Sequence, residues 1–198
     1  MAKQLVFQLE DGGSIPTSPL QYIVKECRFK DIRYLLEMYH YKGGHMGGGI
    51  SFCLSLSSVF DIVGGAVIGL PRHSAHYPDS MDIRRLVLSP VCPKNTASYF
   101  LSKIIWHIKN NTKVSTVLSY ADLSVGHIGI IYKAANFRLV GYTSCTKHIF
   151  WNGVRYHPRS LTIERPYSHK LREAVKQGSA RIETGKPKAI YVYKINRE

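Results

Sequence analysis

Between Val114 and Phe137 the chain runs from an apolar stretch, Val114 to Tyr120, into a carboxylate at Asp122, then glycines at 126 and 129, then the helix-forming run Ile130-Ile131-Tyr132-Lys133-Ala134-Ala135. A buried strand closed by turn residues and followed by a short helix is a building unit of an α/β sheet. Such sheets place their chemistry where strands end and helices begin. An acid and a phenol brought to one such point form a candidate proton-transfer pair, Asp122 with Tyr132.

The rest of the chain supplies similar units. Tyr22 to Cys27 reads as a strand, and Lys30 to Tyr41 as a helix with Ile32, Leu35, Leu36 and Tyr39 at core-facing spacing. The glycine loop from Gly43 to Gly49 ends that helix. Ile50 to Leu56 and Phe60 to Leu70 read as a hairpin around Ser57-Ser58, and Ile83 to Leu88 as the next strand. Pro90 and Pro93 break the chain before a helix that Asn95 or Thr96 can cap, with Leu101, Ile104, Ile105 and Ile108 on one face. After Ile128 to Asn136 come a strand at Arg138 to Thr143, a hairpin at Ile149 to Tyr156, a basic helix at Tyr167 to Gln177 and a closing strand at Ala189 to Ile195. The fold class is α/β, a mixed sheet flanked by helices, divided into an N-terminal arm (1–19), a core (20–146) and a basic C-terminal extension (147–198) packed on it.

Charge narrows the partner. The 198 residues carry a formal net charge of +14 and a pI near 9.7. The stretch from Lys147 to Glu198 holds 12 of the 27 basic side chains and 4 of the 13 acidic ones. A polyanion is the expected partner, with nucleic acid preferred to a membrane surface because no basic amphipathic anchor is present. A solvated basic surface is the plainer alternative. Cysteines at 27, 53, 92 and 145 form no C-x-x-C pair, so they read as reduced, mostly core residues of a cytoplasmic protein. The amino terminus lacks a signal-peptide layout, and the longest apolar stretch is broken by Asp61 and two glycines.

Five constellations could carry function. The start of the helix after Cys92, with Lys94, Asn95, Thr96 and Ser98, offers donors to an anion such as a pyrophosphate. An ordinary capped helix is the competing reading. Arg85, in an apolar strand, needs a partner such as Asp122 or a substrate anion. Asp122 could accept a hydrogen bond or proton from an amino group, or only cap a helix, and Tyr132 could donate a proton or only fill the core. His40-Tyr41 closes the first long helix beside the glycine loop. His40 with His45 and Asp122 has no diagnostic metal-ligand spacing, so no metal site is expected. Lys147, Arg155, His157 and Arg159, with Trp151 and Tyr156, mix basic and aromatic character as a DNA contact would, or form a structural hairpin.

Pro93-Lys94-Asn95-Thr96-Ala97-Ser98, the segment from Ser119 to Phe137, and His157-Pro158-Arg159-Ser160-Leu161 resemble the Mom family of phage DNA-modification proteins, over about Tyr39 to Leu161. Mom proteins are similar in outline to GCN5-type acetyltransferases and convert adenine in DNA to an N6-carbamoylmethyl (acetamido) derivative. The resemblance implies a GCN5-type acetyltransferase-like fold and a DNA adenine-modifying transferase that protects phage DNA from host restriction. It matches Arg85 and the His40-Tyr41 pair to family positions. It implies that Asp122 engages the amino group, Tyr132 and His40 handle protons or position the base, Arg85 and Ser98 hold the donor, and Tyr41 packs the site.

One departure concerns that donor. Acetyltransferases usually place a glycine-rich turn ahead of the anion-binding helix, whereas no glycine stands between Leu86 and Ser119. The donor therefore stays open between acetyl-CoA and another activated group, and a requirement for iron stays open beside it. Double-stranded DNA is the expected partner, and a homodimer is one option for the assembly. The rivals are an acetyl-CoA-dependent N-acetyltransferase acting on a protein or small-molecule amine, and a DNA-binding protein without catalysis.

Overall fold

A computed structural model describes residues 16–46, 48–59, 61–71 and 77–197. The expected arm lies outside the described residues up to position 15, as does Phe60 at the start of the second hairpin strand. Where the description opens, Ser18 and Gln21 form a capping box on a 3-10 turn, Pro19–Gln21.

Ten strands and four α-helices follow in chain order: β1 (Ile23–Cys27), α1 (Phe29–Tyr39), β2 (Ile50–Ser57), β3 (Ile62–Gly69), β4 (Ser80–Leu88), α2 (Thr96–Asn111), β5 (Thr116–Asp122), α3 (Ile130–Ala134), β6 (Arg138–Tyr142), β7 (Lys147–Trp151), β8 (Val154–Tyr156), α4 (Ser168–Lys176), β9 (Arg181–Thr184) and β10 (Lys188–Lys194). Seven strands form a mixed sheet in the order β1-β2-β3-β4-β5-β10-β6, and three form a second sheet, β8-β7-β9. The expected α/β class, a mixed sheet with flanking helices, is what the chain adopts.

The first four strands are an antiparallel meander, and β4 pairs with β5 in parallel. That parallel ladder runs only from Ser80↔Thr116 to Ile83↔Ser119, while β4 continues to Leu88. Two parallel strands that part in this way open the sheet at their carboxyl ends, where α/β sheets receive ligands.

The chain forms two compact units. One comprises residues up to Tyr120 with Gly129–Leu139 and Tyr191–Glu198, the other Ala121–Ile128 with Val140–Ile190. In the first, Ile32, Leu35 and Leu36 of α1 pack with Cys53, Val67 and Val87 of the sheet. Tyr39, expected on that face, is instead 43% exposed, because the helix ends there and turns away at His40. The apolar face of α2 is buried as its spacing predicts, at Leu101, Ile104, Ile105 and Ile108, with Phe100 added. In the second unit, Ile149 of β7 packs with Leu171 and Ala174 of α4. The β7–β8 hairpin turns at Asn152-Gly153, both at positive φ (49° and 72°), as an Asn-Gly turn between right-twisted strands requires.

All four cysteines are free, Cys53 buried, Cys145 exposed and the other two half-buried. Among the described residues no helix is long and apolar enough to cross a membrane.

Candidate active site

In the first unit, the loop after β4 sets the start of α2. The Cys92 amide donates to Ser89 O at 3.1 Å and the Thr96 amide to Pro93 O at 3.3 Å, closing successive turns. Asn95 then takes φ 70°, a left-handed conformation that costs most residues energy and that asparagine tolerates. The chain thus makes its turn without the missing glycine. Neither Asn95 nor Thr96 caps α2 through its side chain as expected, since the left-handed backbone at Asn95 replaces an extended capping residue. The Thr96 and Ser98 hydroxyls instead donate back to Pro93 O (2.7 Å) and Asn95 O (3.0 Å).

A helix start leaves its first amides without intrahelical carbonyls and carries the positive end of the dipole. A cleft of about 490 Å³ opens beside this one, lined among others by Asn95, Ser98, Tyr99, Ala134, Asn136 and Tyr193. Of the four residues expected to hold a donor group, Asn95 and Ser98 line the cleft. Thr96 is buried with its hydroxyl engaged, and Lys94 stands exposed on the loop. Asn136, at positive φ just past α3, adds an amide that its place in the sequence did not single out.

Tyr132 sits in α3 of the same unit, 9% exposed. Gly129 precedes the helix at φ 77°, and a Cβ there would overlap the ring of Tyr191, itself 1% exposed. The absent side chain lets Tyr191 lie 5.2 Å from the Tyr132 ring, with Phe137 at 5.7 Å on edge. Burial pushes the Tyr132 phenol above its ordinary range. The Ser119 hydroxyl, buried and without a well-formed hydrogen bond of its own, pulls the other way, and Tyr191 adds to the rise. At neutral pH this phenol keeps its proton, so it can act as a donor and not as a base.

His40 caps the end of α1, stacks on Tyr41 at 4.8 Å and accepts the Lys42 amide on Nδ1 at 3.1 Å. The loop beyond it is pinned by Arg84, whose guanidinium donates to Gly48 O and Leu70 O, both at 2.7 Å. Arg85 is half-buried on β4 and donates to Arg84 O at 2.8 Å. With two arginines adjacent in an apolar strand, the sequence could not say which would serve the loop. Arg84 falls at the register shift between the pairs Val67↔Arg85 and Ile68↔Ile83, a bulge position that re-aims a side chain, and its head serves the loop.

The second unit holds Asp122 and the basic residues. Asp122 is 7% exposed at the end of β5, and its Oδ1 accepts the Ser124 amide (3.1 Å) and the Ser124 hydroxyl, capping the 3-10 turn Leu123–Val125. Its Oδ2 lies 3.7 Å from Lys188 Nζ. Arg155 reaches His148, Nη2 to Nε2 at 2.9 Å. Burial holds His148 below its ordinary pKa, followed by the charges of Arg155, His157 and Lys188, while Asp122 opposes them. His148 and Lys188 were not foreseen as site residues, since nothing in their spacing ties them to Asp122. His157 caps the next 3-10 turn by accepting the Arg159 amide at 3.1 Å, and Arg159 and Lys147 are exposed. Trp151 and Tyr156 belong to the apolar side with α4, so they are packing residues of this unit.

Asp122 and Lys147 to Arg159 therefore fall in one unit, and His40, Arg85, Tyr132 and the cleft in the other. Among the described residues no three His, Cys, Asp or Glu side chains converge as a metal site.

The model of the Mom protein family matches residues 21–198. A search of the curated proteins finds no match. Solved structures share the fold at low identity. A GNAT family acetyltransferase from Elizabethkingia anophelis with acetyl-CoA bound is 11% identical, TM-score 0.56, covering 88% of this chain and 99% of its own. The ribosomal-protein-S18-alanine N-acetyltransferase of Escherichia coli is 10% identical, TM-score 0.54, covering 89% and 96%. Spermidine N-acetyltransferase from Vibrio cholerae, in complex with CoA and spermine, is 6% identical, TM-score 0.55, covering 88% and 96%.

Proposed function

The chain belongs to the Mom protein family, and on that premise we propose that it is a transferase that places a carbamoylmethyl group on N6 of adenine in double-stranded DNA. The observation that carries this reading is the extent of the family match, which takes in the β5–α3 segment, the α2 start and the basic residues from 147 onward. Modification of N6 alters the major-groove edge on which restriction endonucleases rely, which would protect phage DNA in a host cytoplasm. The net charge of +14 suits a DNA substrate.

In the reaction a bond forms between N6 and a methylene carbon, N6 gives up a proton, and the donor's leaving group departs. Asp122 is assigned to the amino group, with Ser124 holding its carboxylate in place. Tyr132, which keeps its proton at neutral pH, is assigned to the departing group. His40 positions the base or handles protons, Tyr41 packs the site, and Arg85 with Ser98 holds the donor. An activated donor with a pyrophosphate fits the α2 start and its cleft in charge and size, at Asn95 and Ser98, and would supply the electrophilic carbon. Acetyl-CoA, which one structural neighbour binds, carries its electrophilic carbon in a thioester and holds no carboxamide nitrogen, so it suits the acetylation alternative below and not the transfer of a carbamoylmethyl group.

Mass spectrometry of nucleosides from DNA of cells expressing the chain tests this. A deoxyadenosine species with the mass of an acetamido adduct is expected, and it should vanish with Asp122→Ala. Unmodified DNA beside abundant folded protein would refute the reading. The acetyltransferase fold favours one alternative, acetyl-CoA-dependent acetylation of a protein or small-molecule amine. A thermal shift with CoA and none with DNA would select it.

A further inference from the structure

Within the second unit, the β8-β7-β9 sheet has two faces of opposite character. Opposed residues of an antiparallel pair share a face, and successive residues alternate. The register Ile149↔Tyr156 and Ile149↔Ile182 places these residues on the side that meets α4 through Ile149 and Tyr156. The register Phe150↔Arg155, Phe150↔Arg181 and His148↔Glu183 places five other residues on the opposite side.

That second face has an aromatic ring on its middle strand and an arginine on each neighbour. Phe150 is half-buried, Arg155 is exposed, and the Arg181 side chain is 74% exposed. The Arg181 guanidinium already lies over the Phe150 ring, 5.6 Å from its centroid, while bonded to Glu183 at 2.7 Å. Arg155 is held by the ring nitrogen of His148, so among its described partners no carboxylate cancels its charge. The unit as a whole carries 10 Lys/Arg against 4 Asp/Glu.

We propose that this face is a DNA-binding platform: Phe150 stacks against a base that has left the helical stack, and Arg155 and Arg181 take the phosphates on either side of it. The proposal rests on the DNA reading above and deepens it. Enzymes that act on a base must take it out of the duplex, and proteins hold unstacked strands with an aromatic side chain for the base and cations for the backbone. The occupant is a DNA strand because the face offers both parts at once, a ring and flanking guanidiniums. A protein partner would need apolar area that this face lacks beyond Phe150.

Binding of the full chain to three labelled probes of equal length tests the proposal: a single-stranded DNA oligonucleotide, the same strand with abasic residues throughout, and the same sequence as RNA. Phe150→Leu, which keeps an apolar side chain, should weaken binding to the DNA strand by roughly 10-fold and leave the abasic strand unchanged. Phe150→Trp should restore it. Arg155→Gln and Arg181→Gln should weaken both DNA probes and each lower the salt slope by about one. Thermal melts confirm that each variant is folded.

Equal binding of wild type and Phe150→Leu to the DNA strand overturns the platform and leaves the DNA reading standing. Tighter binding of the wild type to RNA than to DNA overturns the choice of occupant. No binding of the wild type to either DNA probe overturns the platform, while the reading on which it rests stands or falls with the nucleoside mass spectrometry above.

Discussion

Gly129→Ala probes how Tyr132 is held, and Gly126→Ala is its control. Both glycines sit at nearly the same left-handed φ, 77° and 78°. A Cβ at 126 meets nothing within 4 Å, whereas at 129 it overlaps the buried ring of Tyr191. Backbone strain at either site is about 1–2 kcal/mol, offset by about 0.4–1 kcal/mol from the stiffer unfolded chain. The net for Gly126→Ala is about 1 kcal/mol. At 129 the overlap adds an overpacking cost of about 1–3 kcal/mol, because Tyr191 is enclosed and cannot rotate into solvent. Gly129→Ala should therefore lose about 2–4 kcal/mol. With a urea m-value of about 2 kcal/mol/M, its midpoint should fall about 1–2 M below wild type and that of Gly126→Ala about 0.5 M. Equal losses from the two variants would show that Tyr191 does not depend on the missing side chain, and the account of how Tyr132 is packed would fail with it.

Tyr132→Phe should keep the fold and lower the yield of modified adenine about 100-fold or more, read by nucleoside mass spectrometry. The same variant carries a pH signature. Because the folded phenol titrates above its ordinary 10.0, folding gains nothing from it below pH 10 relative to Phe and loses stability as pH rises past 10, where the unfolded chain ionises first. Urea midpoints measured from pH 9 to 11 should fall less steeply for Tyr132→Phe than for wild type. Gly69→Ala would place a Cβ 2.6 Å from Arg84 Nε and against Gly49 O, so Arg84 should release Gly48 O and Leu70 O. Faster proteolytic cleavage between residues 43 and 49 is the expected readout. In Arg155→Met, NMR titration should show His148 moving up toward its ordinary 6.5, since a neighbouring positive charge that lowers it has gone.

The fold was largely legible because its elements announce themselves by period. The face of α2 and the apolar run of β5 each carry enough residues to fix their type, and the Asn152-Gly153 turn fixes a hairpin. The site was legible only in part. Ser98 and Asn95 were readable from their place at a helix start. Asn136, Tyr191, Arg84 and Lys188 were not, because each acts through a contact with residues distant in sequence that no local pattern records. Tyr39 went astray for a local reason: helical spacing carried it onto the core face, but the helix stops there. The same limit explains Trp151 and Tyr156. Composition marks a basic aromatic hairpin, yet only the register with β9 shows which aromatic faces outward.

The contacts of Asp122 limit what it can do. Its Oδ1 takes two hydrogen bonds from Ser124 and its Oδ2 faces Lys188, so the carboxylate is fixed in direction. A carboxylate so engaged is better suited to orient an amino group by accepting from it than to swing between partners as a mobile base. The adenine amino group is a weak nucleophile with a lone pair delocalised into the ring, and an acceptor held in one place can favour the geometry in which that lone pair points at an incoming carbon. Tyr132 keeps its proton at neutral pH, which is the property its assigned role as donor to a departing group requires. On the proposed assignment Asp122 would orient the amino group as a fixed acceptor made by a capping turn, and Tyr132 would serve as a persistent donor made by burial.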